Sequence, residues 1–208
     1  MRDATTMTTT VLATLLLAAC GPAGEAERGR GDSAPATAGE SAISTAQPTD
    51  SAATGDTMRG GALRVTMRDA TGRDLGTLTV AESGDGVTIA GTLRGIAPGA
   101  HAIHVHTTGR CDAPTFESAG AHWNPTDRAH GTANPRGPHL GDLPNLTVGA
   151  DGAVAVEART PGGTLAGATA LRDGDGAALV IHAKRDDYRT DPAGDAGDRV
   201  ACGVIDSR

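Results

Sequence analysis

Apolar and polar residues alternate with a period of two in eight short stretches: residues 62–67, 75–80, 87–93, 102–105, 146–148, 154–158, 177–181 and 200–205. A period of two sends successive side chains to opposite faces, so each stretch predicts a short β-strand with one face toward a core. Turn-forming clusters separate many of them, among them Asp69-Ala70-Thr71-Gly72, Ser83-Gly84-Asp85-Gly86, Ala97-Pro98-Gly99, Asp151-Gly152 and Asp173-Gly174-Asp175-Gly176. The pattern predicts an antiparallel sandwich or barrel over residues 58–208.

The N-terminal part reads differently. Residues 11–19 are apolar apart from one threonine, too short a run to span a bilayer but suited to the core of a signal peptide. The run ends Leu17-Ala18-Ala19-Cys20-Gly21, which resembles a bacterial lipobox. Residues 1–20 are therefore expected to be a lipoprotein signal, with Cys20 lipidated as the mature N-terminus. Residues 21–57 are rich in Ala, Gly, Ser, Thr, Pro and Glu, with Ile43 the one large aliphatic residue. Such a segment buries too little to offset its ordering entropy and predicts a disordered tether. The protein is expected to be exported and held in the cell envelope by a lipid anchor.

Composition sharpens the picture of the folded part. With 30 Gly and 11 Pro in 208 residues, and one each of Phe, Trp and Tyr, a helical bundle is disfavoured and the core must be built from Val, Leu, Ile and Ala. The net charge of −7 and a single lysine among 18 basic residues leave no footprint for nucleic acid. Residues 107–144 carry five prolines and no strand or helix pattern. A loop of that length inside a domain is unusual and is expected to be functional or pinned.

All seven histidines fall between positions 101 and 182. His104 and His106 lie two apart in a predicted strand, so both imidazoles leave the same face of the sheet. The long loop adds His122, His130 and His139, with Asp142 three residues further on, and His182 ends another predicted strand. Six histidines and a carboxylate exceed what one tetrahedral ion needs, so two metal sites are the economical reading. His101, three residues before His104, is expected to point to the opposite face and to have a structural role.

At this point the chain resembles the copper/zinc superoxide dismutases. Gly99-Ala100-His101-Ala102-Ile103-His104-Val105-His106, with Gly109 and Cys111, is similar to that family's copper-binding segment. Ala119-Gly120-Ala121-His122-Trp123-Asn124-Pro125 resembles its bridging-histidine segment. His130-Gly131 through Asp142-Leu143 resembles its zinc loop, and residues 194–205 its C-terminal signature. The resemblance implies an eight-stranded Greek-key sandwich or barrel with long metal-binding and active-site loops. It implies copper on His104, His106, His122 and His182, and zinc on His122, His130, His139 and Asp142, with His122 shared. Asp186 is implied as the carboxylate that hydrogen-bonds a copper histidine and a zinc histidine, presumed on position to be His104 and His130. Cys111 and Cys202 match the family's disulfide, which with Cys20 lipidated leaves no free thiol.

The implied activity is disproportionation of superoxide to dioxygen and hydrogen peroxide, by copper cycling between Cu(II) and Cu(I). His122 carries a proton in that scheme, and Arg199 draws in and orients the anion. The chain departs from the family's animal members between His182 and Arg199, where the loop is short and holds a single lysine, Lys184. Steering of substrate is therefore expected to be weak or to come from Arg110, Arg128 or Arg136, with a shallow salt dependence. Two rival readings are a copper-delivery or metal-storage module and a structural envelope protein. Both are disfavoured because no copper ligand and no arginine of the motif is replaced. A homodimer is possible on the sequence.

Overall fold

The computed structural model describes residues 61–167 and 170–206; the expected signal and tether lie outside the described residues. Each stretch predicted from alternation forms a strand, and one further strand appears. In chain order these are β1 (Leu63–Asp69), β2 (Asp74–Ser83), β3 (Gly86–Arg94), β4 (Gly99–His101), β5 (Ile103–His106), β6 (Leu146–Val148), β7 (Ala153–Pro161), β8 (Ala177–His182) and β9 (Arg199–Ile205). The one helical turn among the described residues is a 3-10 turn at Glu117–Ala119.

Every strand ladder is antiparallel. The seven-stranded sheet runs β5-β8-β9-β1-β2-β3-β7, and β4 pairs with β6 in a separate two-stranded ribbon. β1, β2 and β3 form a meander, and β9 returns over a long connection to lie beside β1, which is the Greek-key pattern.

The stretch predicted over residues 102–105 forms β5, and the chain changes sheets at its start. β4 ends at His101 after pairing with β6, and β5 begins at Ile103 against β8. Ala102 is the corner: its N–H donates to Lys184 O at 2.8 Å and its carbonyl accepts from His182 N at 2.9 Å. An alternation pattern is blind to such a step, because His101, Ala102 and Ile103 are all buried across it.

The core follows the expected faces. Val65 and Met67 of β1, Leu78 and Val80 of β2, and Val87, Ile89 and Leu93 of β3 are buried in one cluster with Val105, Leu179, Ile181 and Ile205. β2 departs from strict alternation, since Leu75 and Leu78 are both buried although three apart. A register shift opposite Met67 and Arg68 accounts for it, because Gly76 pairs with Met67 and Asp74 with Arg68, which skips Leu75. A bulge of this kind bends the strand and re-aims its side chains.

β8 is buried along its whole length. Leu179 and Ile181 face the main core, while Ala178 and Val180 lie in a second cluster with Phe116, Ala119 and Cys202. The loop after β5 supplies that second cover, and the disulfide Cys111–Cys202, with a Cα–Cα distance of 5.7 Å, fastens it to β9. A long segment without periodicity is thereby held as firmly as a strand.

Candidate metal centre

β5 is the edge strand of the seven-stranded sheet, and its main chain holds two pieces of the long loop. Trp123 N donates to Val105 O at 2.8 Å, Val105 N to Gly141 O at 2.9 Å and Gly141 N to Trp123 O at 2.9 Å. A Cβ at Gly141 would stand 2.5 Å from Val105 O and 3.0 Å from Trp123 O, so glycine is what lets these three strands of backbone meet. The single bridges His106–His122 and His104–Asp142 result. They bring the loop's ligands against the two histidines of β5, while His182 arrives from the end of β8.

Two groups of side chains form around this junction. His104, His106, His122 and His182 each bring a ligand atom within 4.8 Å of the others, and all four residues are buried. Their unpartnered ring atoms are His104 Nδ1, His106 Nε2, His122 Nε2 and His182 Nε2. All four rings are held through the opposite nitrogen, His122 through Nδ1, 3.1 Å from Asp142 Oδ1. His104 Nε2 lies 2.9 Å from Asp186 Oδ2, His106 Nδ1 donates to Gly120 O at 2.9 Å, and His182 Nδ1 donates to Gly197 O at 3.2 Å. With those N–H groups committed outward, the inward nitrogens carry lone pairs. Four buried lone pairs aimed at one another are costly to leave unsatisfied, and an imidazole-ligated ion resolves the cost. A set of four imidazoles suits copper.

The second group contains His122, His130, His139 and Asp142. Asp142 Oδ1 lies 3.1 Å from His122 Nδ1, 3.0 Å from His130 Nδ1 and 3.2 Å from His139 Nδ1, and His122 Nδ1 is 3.4 Å from His139 Nδ1. A tetrahedron with metal–ligand bonds of about 2.0 Å has edges of about 3.3 Å, so the four donors stand as the corners of a zinc site. Asp142 Oδ2 is anchored separately by the N–H groups of Gly131 at 2.8 Å and His139 at 3.0 Å. His122 belongs to both groups and turns Nε2 to one and Nδ1 to the other.

Asp186 joins the groups from behind. Its Oδ2 accepts from His104 Nε2 and its Oδ1 from His130 Nε2 at 3.0 Å, with the carboxylate 0% exposed. Asp186 is itself held by residues that sequence reasoning passed over. Asn145 Oδ1 accepts from Asp186 N at 2.8 Å, Asn145 Nδ2 donates to Asp186 O at 2.9 Å, and Tyr188 N donates to Asp186 Oδ1 at 2.6 Å. Nothing in the local pattern around Asn145 signals its part in this, because its contacts with Asp186 span 41 residues, while the Tyr188 contact is a local turn of the chain two residues on.

Protonation follows burial and partners. Burial, reinforced by neighbouring imidazoles and Arg199, pushes His106 down to about 2 and His182 to about 3. His122 is lowered to about 4 by burial and the nearby His104 and His130 rings, against the pull of Asp142. These rings are neutral near pH 7 and have lone pairs to offer. His130 is the opposite case: burial lowers it, but its bonds to Asp142 and Asp186 outweigh that and raise it to about 9. Although burial raises both carboxyls, hydrogen bonds from the histidines hold Asp142 and Asp186 well below the usual carboxylate range.

The groups open on a cleft of about 690 Å³ whose wall includes His106, His122, His139, His182 and Arg199. Arg199 donates through Nη1 to Phe116 O and through Nη2 to Gly120 O, both at 2.7 Å. Gly120 O also accepts from His106, so one carbonyl fixes the arginine relative to a metal-group ring. His101 stands apart, buried, with Nδ1 2.8 Å from His182 O and Nε2 2.9 Å from Ala97 O. The structural role expected for it agrees with those contacts. Of the three alternative steering residues, Arg128 lines the cleft, while Arg110 is paired with Asp112.

The sequence profile of the copper/zinc superoxide dismutase family matches residues 75–205. The chain is 47% identical to a superoxide dismutase [Cu-Zn] of Caulobacter vibrioides over 138 residues, 64% of this chain and 79% of that protein. It is 44% identical to superoxide dismutase [Cu-Zn] 2 of Aquifex aeolicus over 137 residues, 64% of this chain and 80% of that one. Among solved structures, a superoxide dismutase-like protein from Bacillus subtilis superposes with a TM-score of 0.67 at 39% identity, covering 70% of this chain and 99% of that one. The Cu/Zn superoxide dismutase from Brucella abortus gives 0.58 at 29% identity, with 70% and 99% covered.

Proposed function

Because this chain belongs to the copper/zinc superoxide dismutase family, we propose that it disproportionates superoxide with copper on His104, His106, His122 and His182 and zinc on His122, His130, His139 and Asp142. The observation that carries the assignment is the set of four buried, unpartnered ring nitrogens, His104 Nδ1 and the Nε2 atoms of His106, His122 and His182. Copper, when bound there, supplies a one-electron acceptor and donor for two superoxide ions in turn, which with two protons give dioxygen and hydrogen peroxide.

The chain's own residues do the rest. Arg199 sits on the cleft wall with its charge intact and attracts and orients the anion beside His106 and His182. His122 is the one ring with a nitrogen in each group, and its Nε2 takes up a proton and returns it to the departing product. Asp142 fixes His122 from the Nδ1 side, so the proton-carrying atom stays aimed at the first group. Asp186 locks the tautomers of His104 and His130 together.

The wider setting is part of the same reading. Export and attachment to the envelope through Cys20 are supported by the apolar run at residues 11–19 and the small residues before that cysteine. The enzyme then removes superoxide outside the cytoplasm. A Cys20→Ala variant is expected to leave the membrane fraction.

The deciding experiment measures metal content and dismutation on the same purified protein, with a cyanide control and a His122→Ala variant. The expected result is about one copper and one zinc per chain, with cyanide-sensitive activity that the variant loses. Zinc alone, with no turnover after copper is supplied, would replace this reading with the metal-binding module.

A further inference from the structure

We infer that Arg128 is a second anion-guiding residue of the cleft, acting from the long loop, beside Arg199, on superoxide and other small inorganic anions. The inference rests on the proposed activity and extends it to a residue outside both metal groups.

Arg128 lines the same cleft as His122, His139 and Arg199. Its side chain is held in place although it is exposed: Nε donates to Arg136 O at 3.1 Å and Nη2 to Gly137 O at 3.0 Å. Its backbone is held as well, with Arg128 N donating to Asn124 Oδ1 at 3.0 Å and Asn124 Nδ2 to Arg128 O at 2.8 Å. Arg199 is treated in the same way, by two main-chain carbonyls. A carbonyl satisfies an N–H without cancelling its charge, whereas a carboxylate cancels it. Among the described residues Arg68, Arg73, Arg110 and Arg159 are each in an ion pair, and neither arginine of the cleft is. Two fixed guanidiniums on one concave surface, neither in an ion pair, attract an anion there.

Acidic groups also line the cleft, Glu117 in the turn whose flanking carbonyls hold Arg199 and Asp191 near His130. Asp191 Oδ1 is engaged by His130 N at 2.6 Å. A neutral N–H does not cancel a carboxylate's charge, so Asp191 and Glu117 both oppose the arginines, and Glu117 supplies a charge of the other sign with which to test the field. The short segment between His182 and Arg199 explains why guidance is needed from elsewhere, since its one lysine, Lys184, does not line the cleft.

The test uses the metal-loaded full chain and its Arg128→Gln, Arg128→Lys and Glu117→Gln variants. Two readouts are taken, kcat/KM for superoxide across ionic strength and azide affinity followed by the visible copper band. At low salt, Arg128→Gln is expected to lower both by roughly threefold and Glu117→Gln to raise both, while Arg128→Lys stays near the parent. All three differences should shrink toward nothing near 1 M salt, where the screening length is about 3 Å. An Arg128→Gln protein whose kcat/KM and azide affinity equal those of the parent at low salt overturns the inference, as does a loss that salt does not diminish. If the parent itself shows no turnover, the proposed activity fails instead, and the azide titration still decides the role of Arg128.

Discussion

His104 Nε2 and Asp186 Oδ2 lie 2.9 Å apart with neither side chain exposed to solvent. The other oxygen of the same carboxylate reaches His130 Nε2 at 3.0 Å, so one buried group sets a ring in each metal group. Replacing Asp186 by Asn keeps the shape but presents an amide NH₂ to one of two ring N–H donors. One ring must then change tautomer and turn its proton toward the metal. Asp186→Asn is expected to weaken zinc and copper retention by about 10–100-fold. Competition against a chelator measures it, with thermal melting as the check that the fold survives.

His130 makes the metal-free protein sensitive to pH in a definite direction. Its ring lies between Asp142 Oδ1 at Nδ1 and Asp186 Oδ1 at Nε2, and is held at about 9 against an ordinary 6.5. A group whose folded value is raised stabilises the fold fully below its unfolded value and loses that contribution as pH climbs through the folded value. The metal-free protein is therefore expected to lose stability between about pH 6.5 and pH 9 from this group. Zinc takes a neutral nitrogen, so its uptake at pH 7 should release about one proton per chain, falling to none well above pH 9. Calorimetry in buffers of different ionisation enthalpy reads that number, and zero release at pH 7 would refute the arrangement.

Much of this was visible in the chain itself. The strand stretches were legible because their buried faces repeat every second residue, and the ligand histidines because they cluster between positions 101 and 182. The step at Ala102 was not, since it exchanges one buried environment for another. Nor was the way Asn145 holds Asp186 and Tyr188, because hydrogen bonds between residues 41 or 43 apart leave no local period. The role of Glu117 as a charge in the cleft was equally hidden. In sequence it is one acid in an unpatterned loop.

The disulfide should matter most when metals are absent. Cys111–Cys202 closes a sequence separation of 91 residues and fastens the segment that carries Phe116 over Ala178 and Val180. On the chain-entropy account, losing it costs about 4–5 kcal/mol. Urea denaturation of the metal-free protein with and without reductant should show a free energy of unfolding lower by that amount, read as a lower midpoint. Phe116 O also holds Arg199 Nη1, so the reduced, metal-loaded enzyme is expected to lose kcat/KM before it unfolds.

Gly194 tests how tightly the segment after Asp186 is built against the metal groups. Its φ is +66°, and a Cβ there would overlap Asp186 Oδ1 and stand 2.7 Å from His130 Nε2. Neither neighbour can yield, since Asp186 Oδ1 is also bonded to Tyr188 N and the His130 ring is clamped at both nitrogens. Gly194→Ala must therefore push the carboxylate away from His130 or lift the segment. Gly72 provides the control: its φ is +84°, with no heavy atom within 4 Å of a Cβ. Alanine at Gly72 should cost only the backbone strain, about 1–3 kcal/mol. Alanine at Gly194 should cost that strain and also release zinc to a chelator at concentrations the parent withstands. Equal zinc retention in the two variants would show that Asp186 holds His130 without help from the segment above it.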